Sequence, residues 1–163
     1  MFKRILISAL AWSACVTPAL ADAETDIQTM LNKLLPIAEG LLVDHGEFFP
    51  FGGAMKDDEE VVTISGIDGQ NNDTPAAGEV INMLDINLRI GAENNQYHAT
   101  AVLSNVTVVP PGKSEPTQAI AVILDHREGF SMTLVFPYTM ADGAVELGDL
   151  FAMSSERKIF LEK

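Results

Sequence analysis

Two short stretches of this chain place a histidine and a glutamate two residues apart: His45-Gly46-Glu47 and His126-Arg127-Glu128. Alternate residues of an extended segment point the same way, so each stretch can present an imidazole beside a carboxylate. Brought together, His45, Glu47, His126 and Glu128 would supply four nitrogen and oxygen donors for zinc. The same pairing suits general-base chemistry. On this reading the protein is a metal-dependent hydrolase or a metal-binding protein. Plainer roles also exist for these residues. His126 and Glu128 fall in an expected hairpin loop, where polar residues are common. His45 closes an expected helix, where an imidazolium complements the dipole.

A second pattern concerns calcium. Asp68, Gln70, Asn72, Thr74 and Glu79 stand at positions 1, 3, 5, 7 and 12 of an EF-hand-like loop. The sixth position, which needs glycine for the turn, is Asp73, and the eighth is Pro75. A solvated loop leading into a capped helix explains the same residues. Asp57-Asp58-Glu59-Glu60 could attract a cation, and it equally suits a solvated turn. Phe48, Phe49 and Phe51 surround Pro50. Strand alternation would send Phe49 and Phe51 to the core and leave Phe48 opposite, as the anchor of a partner-binding patch. Phe130, Met132 and Phe136 are candidates to line a small-molecule pocket between helices and sheet.

Other chemistries are excluded by what is missing. There is no Gly-x-Ser-x-Gly elbow, phosphate loop, dinucleotide fingerprint or His-Glu-x-x-His. Ser65, Ser104 and Ser131 lie on expected strands with no activating base nearby in the sequence. Asn105-Val106-Thr107 forms a glycosylation sequon, but it falls inside an expected strand and matters only in a eukaryotic secretory route.

Residues 1–21 read as a secretory signal peptide. Lys3 and Arg4 form a basic start, Ile5 to Val16 a mostly apolar stretch, and Ala19-Leu20-Ala21 a small-x-small cleavage site. The apolar run falls short of the ~20 residues of a spanning helix. Trp12 occupies the position where a lipoprotein signal places a leucine-like residue before Cys15. The expected destination is the periplasm or the medium. Cleavage removes Lys3, Arg4, Trp12 and Cys15. Lys+Arg then falls from 10 to 8 while Asp+Glu stays at 23, so formal charge moves from −13 to −15. Without cysteine, the mature chain has no disulfide and must rely on packing. The acidity argues against nucleic acid and anionic membranes and favours a basic protein partner.

The remaining residues, 22–163, suit a single domain. Ile27, Leu31, Leu34, Leu35, Ala38, Leu41 and Leu42 recur at helical spacing, which predicts a helix over 25–43, kinked or split at Pro36. Asp22, Glu24 and Asp26 complement the dipole at its start. Two strands follow, over 48–55 and 60–65, joined by the acidic turn. Thr74-Pro75 predicts the start of a second helix carrying Ala77, Val80, Ile81, Leu84 and Leu88 and ending at Gly91. Period-two alternation predicts strands over 97–109, then around Ile120–Leu124 and Phe130–Phe136. Residues 145–153 and 158–161 are candidate edge strands. This order predicts an α+β fold: an antiparallel sheet of about five strands with two helices packed on one face. The layout suits a profilin-like or roadblock-like arrangement, which by itself carries no function.

The segments Gly46-Glu47-Phe48-Phe49-Pro50-Phe51-Gly52, His126-Arg127-Glu128-Gly129-Phe130 and Pro137-Tyr138 occur together. The combination resembles a group of small bacterial proteins sharing a GEFxPFG segment and a later HREG-aromatic hairpin. That resemblance implies neither an activity nor site residues. The expectation from the sequence is therefore an exported, acidic, non-enzymatic domain that binds another macromolecule, such as an inhibitor or immunity-type protein. Metal chemistry at the His-x-Glu pairs and small-molecule binding are the alternatives.

Overall fold

The computed structural model describes residues 18–66, 75–156 and 159–161. Most of the expected signal peptide, the Asp68–Thr74 part of the calcium-like loop and the Thr74 cap lie outside the described residues. The element order is α1 (Pro18–His45), β1 (Phe51–Met55), β2 (Val61–Ser65), α2 (Ala77–Glu93), β3 (Ala99–Val108), β4 (Thr117–His126), β5 (Ser131–Ala141), β6 (Ala144–Leu147) and β7 (Phe151–Ser154). Every strand pairing is antiparallel, and the sheet runs β2-β1-β3-β4-β5-β6, with β7 also on β5. The α+β class is that of the sequence reading.

The sheet has seven strands rather than about five. The 11 residues of β5 are long enough to carry two short partners end to end. β6 pairs with Tyr138–Ala141 and β7 with Met132–Val135. The single strand expected over 145–153 is thus divided by Gly148-Asp149-Leu150. Asp142-Gly143 joins β5 to β6 with both residues at positive φ, 51° and 79°, as a two-residue hairpin turn of the primed type requires.

The helices lie on opposite faces of the sheet, not on one. Adjacent strand residues point to opposite faces. A Cβ placed on Gly53 would strike Leu34 of α1, whereas one on Gly52 would touch Leu84 of α2. The two cores divide accordingly. Met30, Leu34, Ala38 and Leu42 of α1 pack with Met55, Leu103, Ile120, Val122 and Leu124. Val80, Leu84 and Leu88 of α2 pack with Ala54, Val102, Ile159 and Phe160. The physical reason lies in β3. Ala99 to Ser104 are six consecutive buried residues, so neither face of the central sheet can meet water.

Three local expectations also change. α1 is one helix through Pro36. Pro36 and Asn32 are both exposed, so water can meet the Asn32 carbonyl that loses its partner. α2 runs past Gly91 to Glu93, because Gly91 is there for space: a Cβ would lie 2.2 Å from the Tyr97 ring. At its start Ala76 takes the cap position, and its N–H donates to the Glu79 carboxylate at 3.2 Å. Residues 159–161 form no strand. Ile159 and Phe160 instead bury their side chains on the α2 face, and the Ile159 N–H donates to Asp125 Oδ2 at 2.8 Å.

Candidate functional site

α1 sets the geometry of both candidate sites, one towards each of its ends. At its C-terminal end Gly46 (φ 77°) turns the chain, and residues 46–50 run back to β1. Because β1 begins only at Phe51, strand alternation does not govern the aromatic run before it. Phe48 is buried and meets Phe51 with ring centroids 5.7 Å apart, while Phe49 is exposed. The expectation of a core Phe49 and an outward Phe48 is therefore reversed.

These aromatics line a groove of about 710 Å³. Ile37 and Leu41 of α1 form one wall. Phe48, Phe49, Pro50 and Phe51 form another, and Thr63 to Ser65 of β2 form the third. His45, Glu47 and Asn105 add polar atoms. The volume falls within the range of ligand sites, and the lining is mostly apolar with a few polar groups, as in such sites. β2 is the first strand of the sheet, so its outer side is paired to no strand among the described residues. The small-molecule pocket expected around Phe130, Met132 and Phe136 is not where the groove lies, and Phe136 is buried in the α1-side core.

The other site lies towards the N-terminal end of α1. Asp26 Oδ2 is 3.1 Å from His98 Nε2 and 3.1 Å from His126 Nε2. The two imidazoles meet edge to face, with centroids 5.7 Å apart. Main-chain hydrogen bonds anchor the backbone of both histidines. The His98 N–H donates to the Met55 carbonyl, the His98 carbonyl accepts from Arg127 N–H, and His126 N–H donates to the Phe130 carbonyl. On its far side His98 Nδ1 is 3.5 Å from Asp57 Oδ1, which also lies 3.6 Å from Arg127. His126 Nδ1 accepts the Glu128 backbone N–H at 3.1 Å. With Nδ1 accepting, a neutral His126 carries its proton on Nε2 and donates it to Asp26.

The four-residue zinc set does not assemble. His126 touches Asp26 near one end of α1, and His45 is the last residue at the other. His45 lies nineteen helical steps beyond Asp26, about 28 Å at 1.5 Å per residue. His45 and Glu47 border the groove, and Glu128 contributes its backbone to the hairpin rather than its carboxylate to His126. Two residues of the observed cluster are absent from the sequence-based set. Asp26 reads as a dipole-complementing acid, yet α1 begins at Pro18 and no acid lies in its first turn. The usable signal is its position next to Ile27 and four residues before Met30, at the margin of the apolar stripe. His98 gives no local signal; only the β3–β4 register, with Ala99 opposite His126, brings it near.

The acidic turn is more than a solvated face. Asp58 accepts the Glu60 N–H, Lys56 pairs with Glu60, and Asp57 reaches towards His98 and Arg127. Asn105, of the sequon, accepts the Tyr138 hydroxyl at 3.0 Å from within β3. Among the described residues no helix is long and apolar enough to cross a membrane. No known protein family matches the chain, and no curated protein or solved structure is significantly similar to it.

Proposed function

We propose that the protein is an exported, non-enzymatic binding domain, periplasmic or secreted, that captures an extended segment of a partner protein along the outer side of β2. The observation that carries this reading is the apolar groove of about 710 Å³ beside a strand edge that pairs with no other strand among the described residues. An added strand takes its affinity from main-chain hydrogen bonds and its specificity from pockets for alternate side chains. Here the groove would receive one aromatic or large aliphatic side chain, against Phe48, Phe49 and Phe51. Of the exposed large apolar side chains that line the groove, Phe49 is more open than Ile37, so it has more surface to lose to a partner. The formal charge, −15 once Lys3 and Arg4 are removed, with Glu47 lining the groove, favours a partner segment with lysines or arginines beside its apolar anchor. The N-terminal signal pattern supports export.

Selection of extended peptides from a displayed library on the purified protein tests this. Enriched sequences should pair an apolar anchor with basic neighbours and weaken as salt rises. Phe49→Ser should lower their affinity about tenfold or more, as expected where a hot-spot aromatic is lost. A proline scan of the peptide should abolish binding at alternate positions, where an N–H bonds to the β2 edge. No enrichment, or enrichment indifferent to Phe49→Ser, would sink the proposal. Binding of small apolar molecules without peptides would assign the groove to a small ligand instead.

A further inference from the structure

We propose that Asp26, His98 and His126 form a binding site for a divalent first-row transition ion of the zinc type, distinct from the groove. One donor atom from each residue lies within 4.8 Å of the others. Two imidazoles and a carboxylate are a donor set that zinc and its neighbours accept, and three protein ligands leave a further position for water or another ligand. The spacing fits. Bonds of ~2.0–2.1 Å in a tetrahedral shell place neighbouring donors about 3.3 Å apart. The Asp26 oxygen already stands 3.1 Å from both Nε2 atoms.

The three ligands come from separate elements, and backbone pairing holds the two histidines before any ion arrives. The His126 side chain is almost fully buried, while His98 and Asp26 retain 16% and 19% of their side-chain surface. The site is therefore largely dry yet reachable from the Asp26–His98 side. Asp57 lies behind His98 Nδ1, the place where an outer carboxylate orients a metal-bound imidazole through its other nitrogen. The net negative charge of the chain favours a dication over an anion at this place.

One contact must change on loading. The Glu128 N–H now donates to His126 Nδ1. When Nε2 takes the ion, the ring proton moves from Nε2 to Nδ1, and two donors then face each other. The Glu128 amide must turn away. The loop Arg127–Gly129 is exposed and includes Gly129 at φ 90°, so it can make that adjustment. An ion held loosely on surface carboxylates would leave this amide untouched.

The test titrates zinc ion alone into the purified protein, by calorimetry and by ¹⁵N NMR of the backbone amides and imidazoles. The expected result is one equivalent bound, with His98 and His126 ring nitrogens and the Glu128 amide shifting together. Asp26→Asn and His98→Gln should each weaken binding at least about tenfold, and Asp57→Asn by roughly tenfold. His45→Ala should bind like the parent. Circular dichroism checks that each variant folds, and the partly exposed His98 keeps the test open if substitution of buried His126 prevents folding. No stoichiometric binding to the parent protein overturns the proposal. So does binding that survives both Asp26→Asn and His98→Gln, or that leaves the Glu128 amide in place.

Discussion

Adding one methyl group at Gly53 and one at Gly52 should have unequal consequences, because these neighbours face different helices. At Gly53 the new Cβ would stand 2.4 and 2.9 Å from the two methyls of Leu34, too close for either to stay. Leu34 is 1% exposed and belongs to the α1-side core, so it has little room to yield. Overpacking of this kind costs about 1–3 kcal/mol. Relief of the glycine backbone entropy returns about 0.5–1 kcal/mol. The net loss for Gly53→Ala should be roughly 1–2 kcal/mol, lowering Tm by about 2–8 °C in a domain of this size. At Gly52 the nearest atoms, on Leu84 and Ile64, lie at 3.3 and 3.4 Å, so Gly52→Ala should be close to neutral. Urea unfolding at constant m-value measures both. A double-mutant cycle locates the clash. Leu34→Ala alone should cost about 2–5 kcal/mol, and the methyl introduced by Gly53→Ala would refill part of the cavity left behind. The double variant should therefore be more stable than the sum of its parts by about 1 kcal/mol or more. Gly53→Ala with Leu84→Ala should add within about 0.5 kcal/mol. Equal effects at Gly52 and Gly53, or strict additivity with Leu34→Ala, would refute the placement of α1 and α2 on opposite faces.

Two helical glycines should respond in opposite directions. Gly40 has open space around it, so Gly40→Ala should stabilise by about 0.5–1 kcal/mol, while Gly91→Ala should destabilise because its methyl would collide with the Tyr97 ring, and thermal unfolding reads both. Burial pushes the Tyr138 phenol above the ordinary tyrosine value of 10.0. Ultraviolet difference titration should show Tyr138 ionising late. Since the folded value is raised, its contribution to stability is complete below pH 10 and is lost as pH rises through the folded value. Phe160→Ala should cost about 3–5 kcal/mol in urea unfolding, since Phe160 is buried on the α2 face although it lies near the chain end.

The elements that sequence located well are those whose apolar residues repeat along one face. The stripe of α1 and the alternation in β4 and β5 have local periods, and a local period is visible in one dimension. The placement of α2 has none. Its side of the sheet depends on Gly52, Ala54 and Val102 facing away from Gly53, Met55 and Leu103, and small residues on both parities read equally well as a weak one-sided strand. The turn acids show the same limit. Asp57 looks like its neighbours in sequence, and only its position across from His98 separates it from Asp58, which caps its own turn. Phe48 and Phe49 exchange roles because the strand begins at Phe51, three residues after the start of the aromatic run.

The candidate chemistry is misplaced in sequence for a reason specific to its geometry. His-x-Glu reads as a unit because short spacing makes two side chains near neighbours. In the fold each unit comes apart. Glu128 turns its peptide, not its carboxylate, to His126, and Glu47 stays with the groove at the far end of α1. The partners His126 does find are 100 and 28 residues distant in sequence, supplied by a helix crossing the sheet and by the residue just before the neighbouring strand. A long helix packed across an antiparallel sheet separates what is close in sequence near its end and gathers what lies at the ends of several strands. Polar groups survive burial there because each has a partner of complementary kind, and two imidazoles sharing one carboxylate oxygen meet that condition. The groove needs the opposite circumstance, a helix end where the chain turns away beside β2, whose outer edge pairs with no strand among the described residues. The two sites thus follow from one architectural choice, the length of α1 relative to the strands beneath it.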